Sequence, residues 1–265
     1  MSESFQVSIL SSGSSGNSLY IESDRQHLLI DAGLSGKKIE TLLNKIGRSA
    51  SDLDSILVTH EHKDHIQGVG VLSRRHHIDV YANEKTWEKM AGMIGPIDPE
   101  HRFIFEPETV KTLGDLDVES FAVSHDSVSP QFYRIHKDNR SFVDLTDTGY
   151  VNGRVLGHIK EANAYLLESN HDIDMLMTGP YPWHLKQRIL GDYGHLSNED
   201  SAQVLTSAVG DKTKRVYLGH RSHDNNQKEL AHLVAKQNLI RHDISPLHCQ
   251  LVDTDVEDPT PLYRV

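Results

Sequence analysis

A single cysteine, Cys249, stands in 265 residues. It excludes an intramolecular disulfide and any cysteine-built zinc cage, and as a small apolar side chain it is expected in a core. No apolar run approaches the ~18 residues of a membrane span. The opening Met1-Ser2-Glu3-Ser4-Phe5 has neither the basic nor the apolar region of a secretion leader. These absences together point to a cytoplasmic protein without a membrane. Positive charge is also short: 27 Lys and Arg face 38 Asp and Glu, a formal charge of −11. That argues against a non-specific polyanion binder held by bulk charge. It leaves room for a nucleic-acid enzyme, because two divalent ions would add about four positive charges where a phosphate must bind.

The chain is rich in histidine, 18 in all, and three lie in the six residues that follow Thr59: His60-Glu61-His62-Lys63-Asp64-His65. The apolar β-branched run Ile56–Val58 before them reads as a buried strand, and Ile66 to Arg74 after them reads as a helix. His60 and His62, two apart, leave one face of an extended segment together. Asp64 and His65 then fall in the first helical turn and point to a second position. This is a two-metal layout rather than one tetrahedral cage. The alternative is a solvated histidine-rich turn.

Elsewhere, Phe5–Leu10, Ser18–Ser23 and Gln26–Asp31 read as consecutive strands. Residues 35–46 read as a helix ending at Gly47. A strand at Asp79–Ala82 and a helix from Glu84 follow, then a β-rich block over His101–Leu145. Helices are expected over 151–160, 182–190, 197–208 and 227–238, and strands over Ala164–Glu168 and Arg215–Leu218. No linker, repeat or low-complexity segment divides residues 1–265. The order predicts one α+β domain, an αββα sandwich of two facing mixed sheets flanked by helices. Ser11-Ser12-Gly13-Ser14-Ser15-Gly16 resembles a flexible tag, but it joins two strands. Such a turn can present backbone N–H groups to an anion, so Ser14 and Asn17 are expected on one wall of a substrate site.

Thr-His-x-His-x-Asp-His after a hydrophobic strand, with Asp31-Ala32-Gly33 ending an earlier one, resembles the metallo-β-lactamase superfamily. The resemblance implies that fold and the remaining ligands. His125 in Val123–Asp126 matches the middle histidine in its order along the chain. Asp147, in Thr146-Asp147-Thr148-Gly149 after a strand, matches the bridging carboxylate, with mid-strand Asp144 as competitor. His220 after Arg215–Gly219 matches the last ligand. The set is then His60, His62 and His125 for one ion and Asp64, His65 and His220 for the other, with Asp147 shared. All donate N or O, which suits Zn²⁺, Mn²⁺ or Fe²⁺. Asp31 is expected to orient a ligand imidazole from behind.

His195-Leu196-Ser197 opens a helix, and simple capping by Ser197 explains part of it. It is also similar to a proton-transfer histidine in the tRNA-processing branch of the superfamily, so His195 joins Asp64 as a candidate catalytic residue. Asn170 and His171 close a strand and are expected on the same rim, touching substrate. The pieces S-G-S-S-G-N, T-D-T-G-Y, E-S-N-H-D, Y-P-W, G-H-x-S-N-E-D and D-N-N narrow the resemblance to the YycJ/WalJ group. They run from Val7 to Leu262, and one departure lies in residues 218–226, where a small apolar residue near Arg221 and a non-histidine at His223 are expected.

That group implies DNA 5′→3′ exonuclease action, a link to cell-wall regulation, and DNA rather than RNA as partner, with oligomeric state open. Two cations ~3.5–4 Å apart can bridge a hydroxide as nucleophile at neutral pH, and His195 would protonate the leaving oxygen. Only ~48 residues separate Asp147 from His195, too few for the β-CASP insertion of related nucleases, so an open cleft is expected. The alternative is a small-molecule metallohydrolase: a cyclic phosphodiesterase, thioesterase or lactonase. A metal-dependent regulatory protein is the third reading. Basic residues that could follow a phosphate backbone are Arg74 and Arg75, Lys186 and Arg188, and Lys212, Lys214 and Arg215.

Overall fold

The computed structural model describes residues 4–245 and 249–265. Of the opening pentapeptide read for a leader, Met1, Ser2 and Glu3 lie outside them. The first half of the chain contributes β1 (Phe5–Ser11), β2 (Ser18–Ser23), β3 (His27–Ile30), α1 (Gly36–Lys45), β4 (Ser55–Leu57), α2 (Lys63–Ile66), α3 (Val69–His76), β5 (Asp79–Ala82), α4 (Glu84–Ile94) and β6 (Arg102–Ile104). The second contributes β7 (Val110–Leu113), β8 (Leu116–Ala122), β9 (Gln131–Lys137), β10 (Arg140–Leu145), α5 (Gly153–Ile159), β11 (Ala164–Glu168), α6 (Ile173–Thr178), α7 (Trp183–Leu190), α8 (Asn198–Ala208), β12 (Arg215–Gly219), α9 (Lys228–Arg241), β13 (Gln250–Asp253) and β14 (Tyr263–Arg264).

Two seven-stranded mixed sheets result, in the orders β14-β1-β2-β3-β4-β5-β6 and β13-β12-β11-β10-β9-β8-β7. Each is antiparallel on one side and parallel on the other: β3 to β6 run parallel in the first, β10 to β13 in the second. Strand alternation sorts the side chains. Leu28 and Ile30 of β3 face the other sheet, packing in one cluster with Tyr133, Ile135, Phe142 and Tyr217. Leu29 between them faces out, with Leu42, Leu43, Leu72 and Trp87 of the first helical layer. On the far side, Val143 and Leu145 pack outward with Val155, Leu205 and Leu239 of α5, α8 and α9, and Cys249 is buried there. The αββα expectation therefore holds. Among the described residues no helix is long and apolar enough to cross a membrane.

The expected helix over Ile66–Arg74 is in fact two, α2 and α3. The chain breaks at Gly68, whose N–H donates to the Ala32 carbonyl at 2.7 Å. A Cβ there would lie 2.5 Å from the Leu34 carbonyl oxygen. A non-local contact, invisible to helical periodicity, re-aims the segment. The short α6, β13 and β14 were not foreseen: α6 is one and a half turns capped by Asp172, and both strands lie at sheet edges.

Candidate metal centre

Most of the candidate ligands sit just beyond the carboxyl ends of strands in the parallel regions of the sheets. β3 runs into Asp31, β4 towards His60, β10 towards Asp147 and β12 into His220, while β11 ends on Glu168. Asp31, Asp147 and His220 have φ of 59°, 46° and 48°, a left-handed backbone uncommon outside glycine. Gly33 lets the Asp64 backbone approach, since a Cβ there would fall 1.6 Å from the Asp64 carbonyl oxygen.

Three imidazoles form one cluster. His60 Nε2 lies 3.0 Å from His62 Nδ1, and His125 Nε2 lies 3.4 Å from the same atom. Zn–N bonds of ~2.0–2.1 Å in a tetrahedral site hold ligand nitrogens roughly 3.3 Å apart, so these three suit one ion. Burial pushes the His60 and His125 imidazoles below their usual range, which keeps them neutral and their lone pairs available. Behind them, Thr59 Oγ1 sits 2.9 Å from His60 Nδ1 and the Gly194 carbonyl 3.2 Å from His125 Nδ1, contacts that fix the ring orientations.

The second cluster is anionic. His65 Nε2 is 2.7 Å from Asp147 Oδ2 and 3.6 Å from Asp64 Oδ2, and His220 Nε2 is 4.0 Å from Asp64 Oδ2. The clusters meet where His60, His65 and Asp147 bring donor atoms within 4.8 Å of one another. On the rear of His65, Asp31 Oδ2 lies 2.7 Å from Nδ1, and Asp31 also accepts from the Thr59 N–H at 2.9 Å. His220 Nε2 is buried without a hydrogen-bond partner, an arrangement that costs free energy unless something binds it. Burial works against charge on His65, His195 and His220, yet the surrounding carboxylates hold His65 well above its usual range, His195 at about 10 and His220 at about 9. A divalent cation can take the place of such protons. These donors therefore fit metal ions, and the site implies divalent metal.

Glu168 was missed by sequence reasoning. It is fully buried, and its Oε1 lies 2.8 Å from His195 Nδ1 and 2.9 Å from His220 Nδ1. Its Oε2 accepts from the N–H groups of Thr148 at 3.0 Å and Leu196 at 3.2 Å. Burial alone would raise this carboxyl, but the two histidines bring it to about 2. The one signal was an acid closing the apolar strand Ala164–Leu167.

Asn17 reaches the cluster, its Nδ2 3.0 Å from His65 Nε2 and 3.4 Å from Asp64 Oδ2. Its side-chain Oδ1 accepts from the Gly13 N–H at 2.9 Å, tying the Gly/Ser turn to the centre. Ser14 is exposed, in a cleft with Arg221, Ser222 and Lys228. Asn170 and His171, expected on the open rim, are buried instead. The segment around Leu196 and Ser197 covers them: Asn170 N–H donates to the Leu196 carbonyl at 3.0 Å and Asn198 N–H to the His171 carbonyl at 2.8 Å. Asn170 Nδ2 donates to the His220 carbonyl at 2.9 Å. Asp144, the competitor of Asp147, lies inside β10, where burial and the nearby Asp31 push its carboxyl well up. Of the basic residues, Arg188 is brought to the centre, paired with Asp126 beside His125. Arg75 pairs with Glu40, and Lys186 is buried on the carbonyls of Met177 and Gly179.

A family described as the beta-lactamase superfamily domain matches residues 26–220, and the chain belongs to it. Within it, the chain is 53% identical over 264 residues to exodeoxyribonuclease WalJ of Streptococcus pneumoniae, covering 98% of each. It is 49% identical to exodeoxyribonuclease YycJ of Bacillus anthracis, covering 97% of this chain and 98% of that protein. Among solved structures it resembles the metallo-β-lactamase fold protein YhfI of Bacillus subtilis, with a TM-score of 0.74 and 16% identity over 97% of this chain and 99% of the other. That likeness bears on the fold.

Proposed function

We propose that the protein is a metal-dependent phosphodiester hydrolase of nucleic acid, a DNA exonuclease running 5′→3′, holding two Zn²⁺, Mn²⁺ or Fe²⁺ ions. The observation that carries it is the junction of a three-imidazole cluster with a carboxylate-rich cluster at His60, His65 and Asp147. The names of the half-identical relatives support DNA as the substrate. His60, His62 and His125 would hold one ion and Asp64, His65 and His220 the other, with Asp147 between them and Asp31 steadying His65. When bound, the ions supply a nucleophilic water at neutral pH and neutralise charge on the phosphate.

The chain's own residues do the rest. His195 keeps Nδ1 on Glu168 and Asp147, at 2.8 and 3.2 Å, which leaves Nε2 to protonate the leaving oxygen. Asn17, Ser14 and the backbone of their turn would hold substrate oxygens on the opposite wall. The experiment is digestion of 5′-labelled DNA and RNA with added Mn²⁺ or Zn²⁺, beside the His62→Ala/Asp64→Ala variant. DNA cleavage by the wild type and none by the variant is expected. Equal cleavage by both overturns the reading.

A further inference from the structure

An imidazole that faces a metal ion is held by a partner on its other nitrogen, which sets the tautomer and aims the ring. Four of the five candidate ligand histidines have one. His60 Nδ1 lies 2.9 Å from Thr59 Oγ1, His125 Nδ1 3.2 Å from the Gly194 carbonyl, His65 Nδ1 2.7 Å from Asp31 and His220 Nδ1 2.9 Å from Glu168. His62 is the exception. Its Nδ1 is the atom that His60 Nε2 and His125 Nε2 approach, at 3.0 and 3.4 Å. With Nδ1 turned to the shared position, the single proton of the neutral ring falls to Nε2. Among the described residues nothing hydrogen-bonds that Nε2, and the group that comes towards it is Asp126, whose Oδ1 stands 4.0 Å away.

That oxygen lacks a donor of its own. Asp126 Oδ1 is buried without a hydrogen-bond partner, which costs free energy unless a donor reaches it. The other oxygen is engaged, since Oδ2 pairs with the half-exposed guanidinium of Arg188. Oδ1 also lies 3.4 Å from His125 Nε2, but that nitrogen faces the triad and has no proton to give once an ion is bound. His62 Nε2 is then the donor of the two. The loop carrying Asp126 is clamped to the histidine motif itself: the Val128 N–H donates at 3.0 Å to Oε1 of Glu61, which stands between His60 and His62. The 4.0 Å separation is about 1 Å beyond a hydrogen bond. The His62 ring has to move in any case when an ion enters. It stands 3.0 Å from His60, closer than the roughly 3.3 Å between nitrogens that share a tetrahedral zinc.

We propose that Asp126 is the positioning residue of His62: with an ion in the triad, its Oδ1 accepts from the His62 Nε2–H while Arg188 holds Oδ2. A carboxylate so placed fixes the ring and makes Nδ1 a stronger donor to the ion. The inference rests on the ligand assignment above and supplies the support that His62 lacks. Its test is chelator competition on the full-length protein loaded with Zn²⁺, beside Asp126→Ala and Arg188→Ala. Asp126→Ala should weaken Zn²⁺ binding by about 10–100-fold. Arg188→Ala breaks the same ion pair but keeps the acceptor, so its affinity should stay within about five-fold of the wild type, the worth of a half-exposed pair. The three metal-free proteins should agree in Tm within about 4 °C. NMR of the zinc-loaded protein with labelled histidine reads the contact itself. The His62 Nε2–H should be protected from exchange in the wild type and in Arg188→Ala, and should exchange freely in Asp126→Ala.

Wild-type zinc affinity in Asp126→Ala overturns the proposal. So does an equal loss in the two variants, which would assign the effect to the ion pair. A His62 N–H that stays protected without Asp126, or that exchanges freely in the wild type, overturns it as well, even where the affinity falls. A wild type that takes up no Zn²⁺ overturns the metal reading itself, a separate result that removes the inference with it.

Discussion

Replacing Glu168 by Gln should loosen the metal centre without touching a proposed ligand. The change is isosteric, but the carboxylate accepts at both ends: from His195 and His220 at one oxygen, from the Thr148 and Leu196 N–H groups at the other. A glutamine can accept at one end only. If its oxygen faces the histidines, its NH₂ opposes two buried backbone donors; if it turns, it opposes two imidazole N–H groups. Two hydrogen bonds to a charged acceptor are lost in either orientation, at about 1.5–3 kcal/mol each, so about 3–6 kcal/mol in all. At ~2 °C per kcal/mol for a chain of this size, Tm should fall by about 6–12 °C. With a total stability of ~5–15 kcal/mol, the variant should still fold. His195 and His220 lose the charge that holds them at about 10 and about 9. Removing such a supporting group weakens metal binding by about 10–100-fold. The assay is chelator competition on metal-loaded protein, with thermal unfolding in parallel. A glutamine variant with wild-type metal affinity and wild-type Tm would refute the argument.

His195→Ala should lower the turnover of DNA by about 10²–10⁴-fold, the usual worth of a positioned proton donor, while p-nitrophenyl phosphodiesters, whose leaving group needs no proton, lose far less. Equal losses on both substrates would remove His195 from that role. A second perturbation concerns Glu22, buried between the two nitrogens of Arg48, at 2.5 and 2.7 Å, and the Tyr20 hydroxyl at 2.8 Å. Burial raises this carboxyl, but Arg48 and Tyr20 outweigh it and its pKa is lowered. A carboxyl depressed in the folded state stabilises fully above its unfolded pKa, ~4.3, and that contribution disappears as pH falls through the folded value. Glu22→Gln should therefore cost about 1–3 kcal/mol at pH 7 and show a shallower loss of stability than the wild type below pH ~4.5. Denaturant unfolding of both proteins from pH 7 to 3 decides it, and parallel curves would contradict it.

What could be read from the chain divides by physical cause. The strands ending near Asp31, His60, Asp147 and His220 are legible because each is an apolar run closed by a residue of special chemistry. The histidines are legible because histidine is scarce and its spacing here is tight. Glu168 is not, because an acid after an apolar strand is commonplace. It matters only once parallel pairing sets β11 between β10 and β12, between Asp147 and His220. The break at Gly68 and the burial of Asn170 and His171 are equally non-local, imposed by the Ala32–Leu34 turn and by the segment around Leu196.

Several local departures converge on the site. Asp31, Asp147 and His220 take a left-handed backbone, uncommon outside glycine, at a strain of order 1–3 kcal/mol each. Gly33 admits a carbonyl where any side chain would stand. His60 and His65 bury their rings 4.1 Å apart, and His220 buries a nitrogen without a hydrogen-bond partner. None of these features strengthens the fold, and the packed sheets on either side offset all of them. Their common result is to aim nitrogen and carboxylate donors at one small volume. An apolar interior has no use for such turns; one built to hold cations does, because bound ions would supply the interaction that offsets their strain.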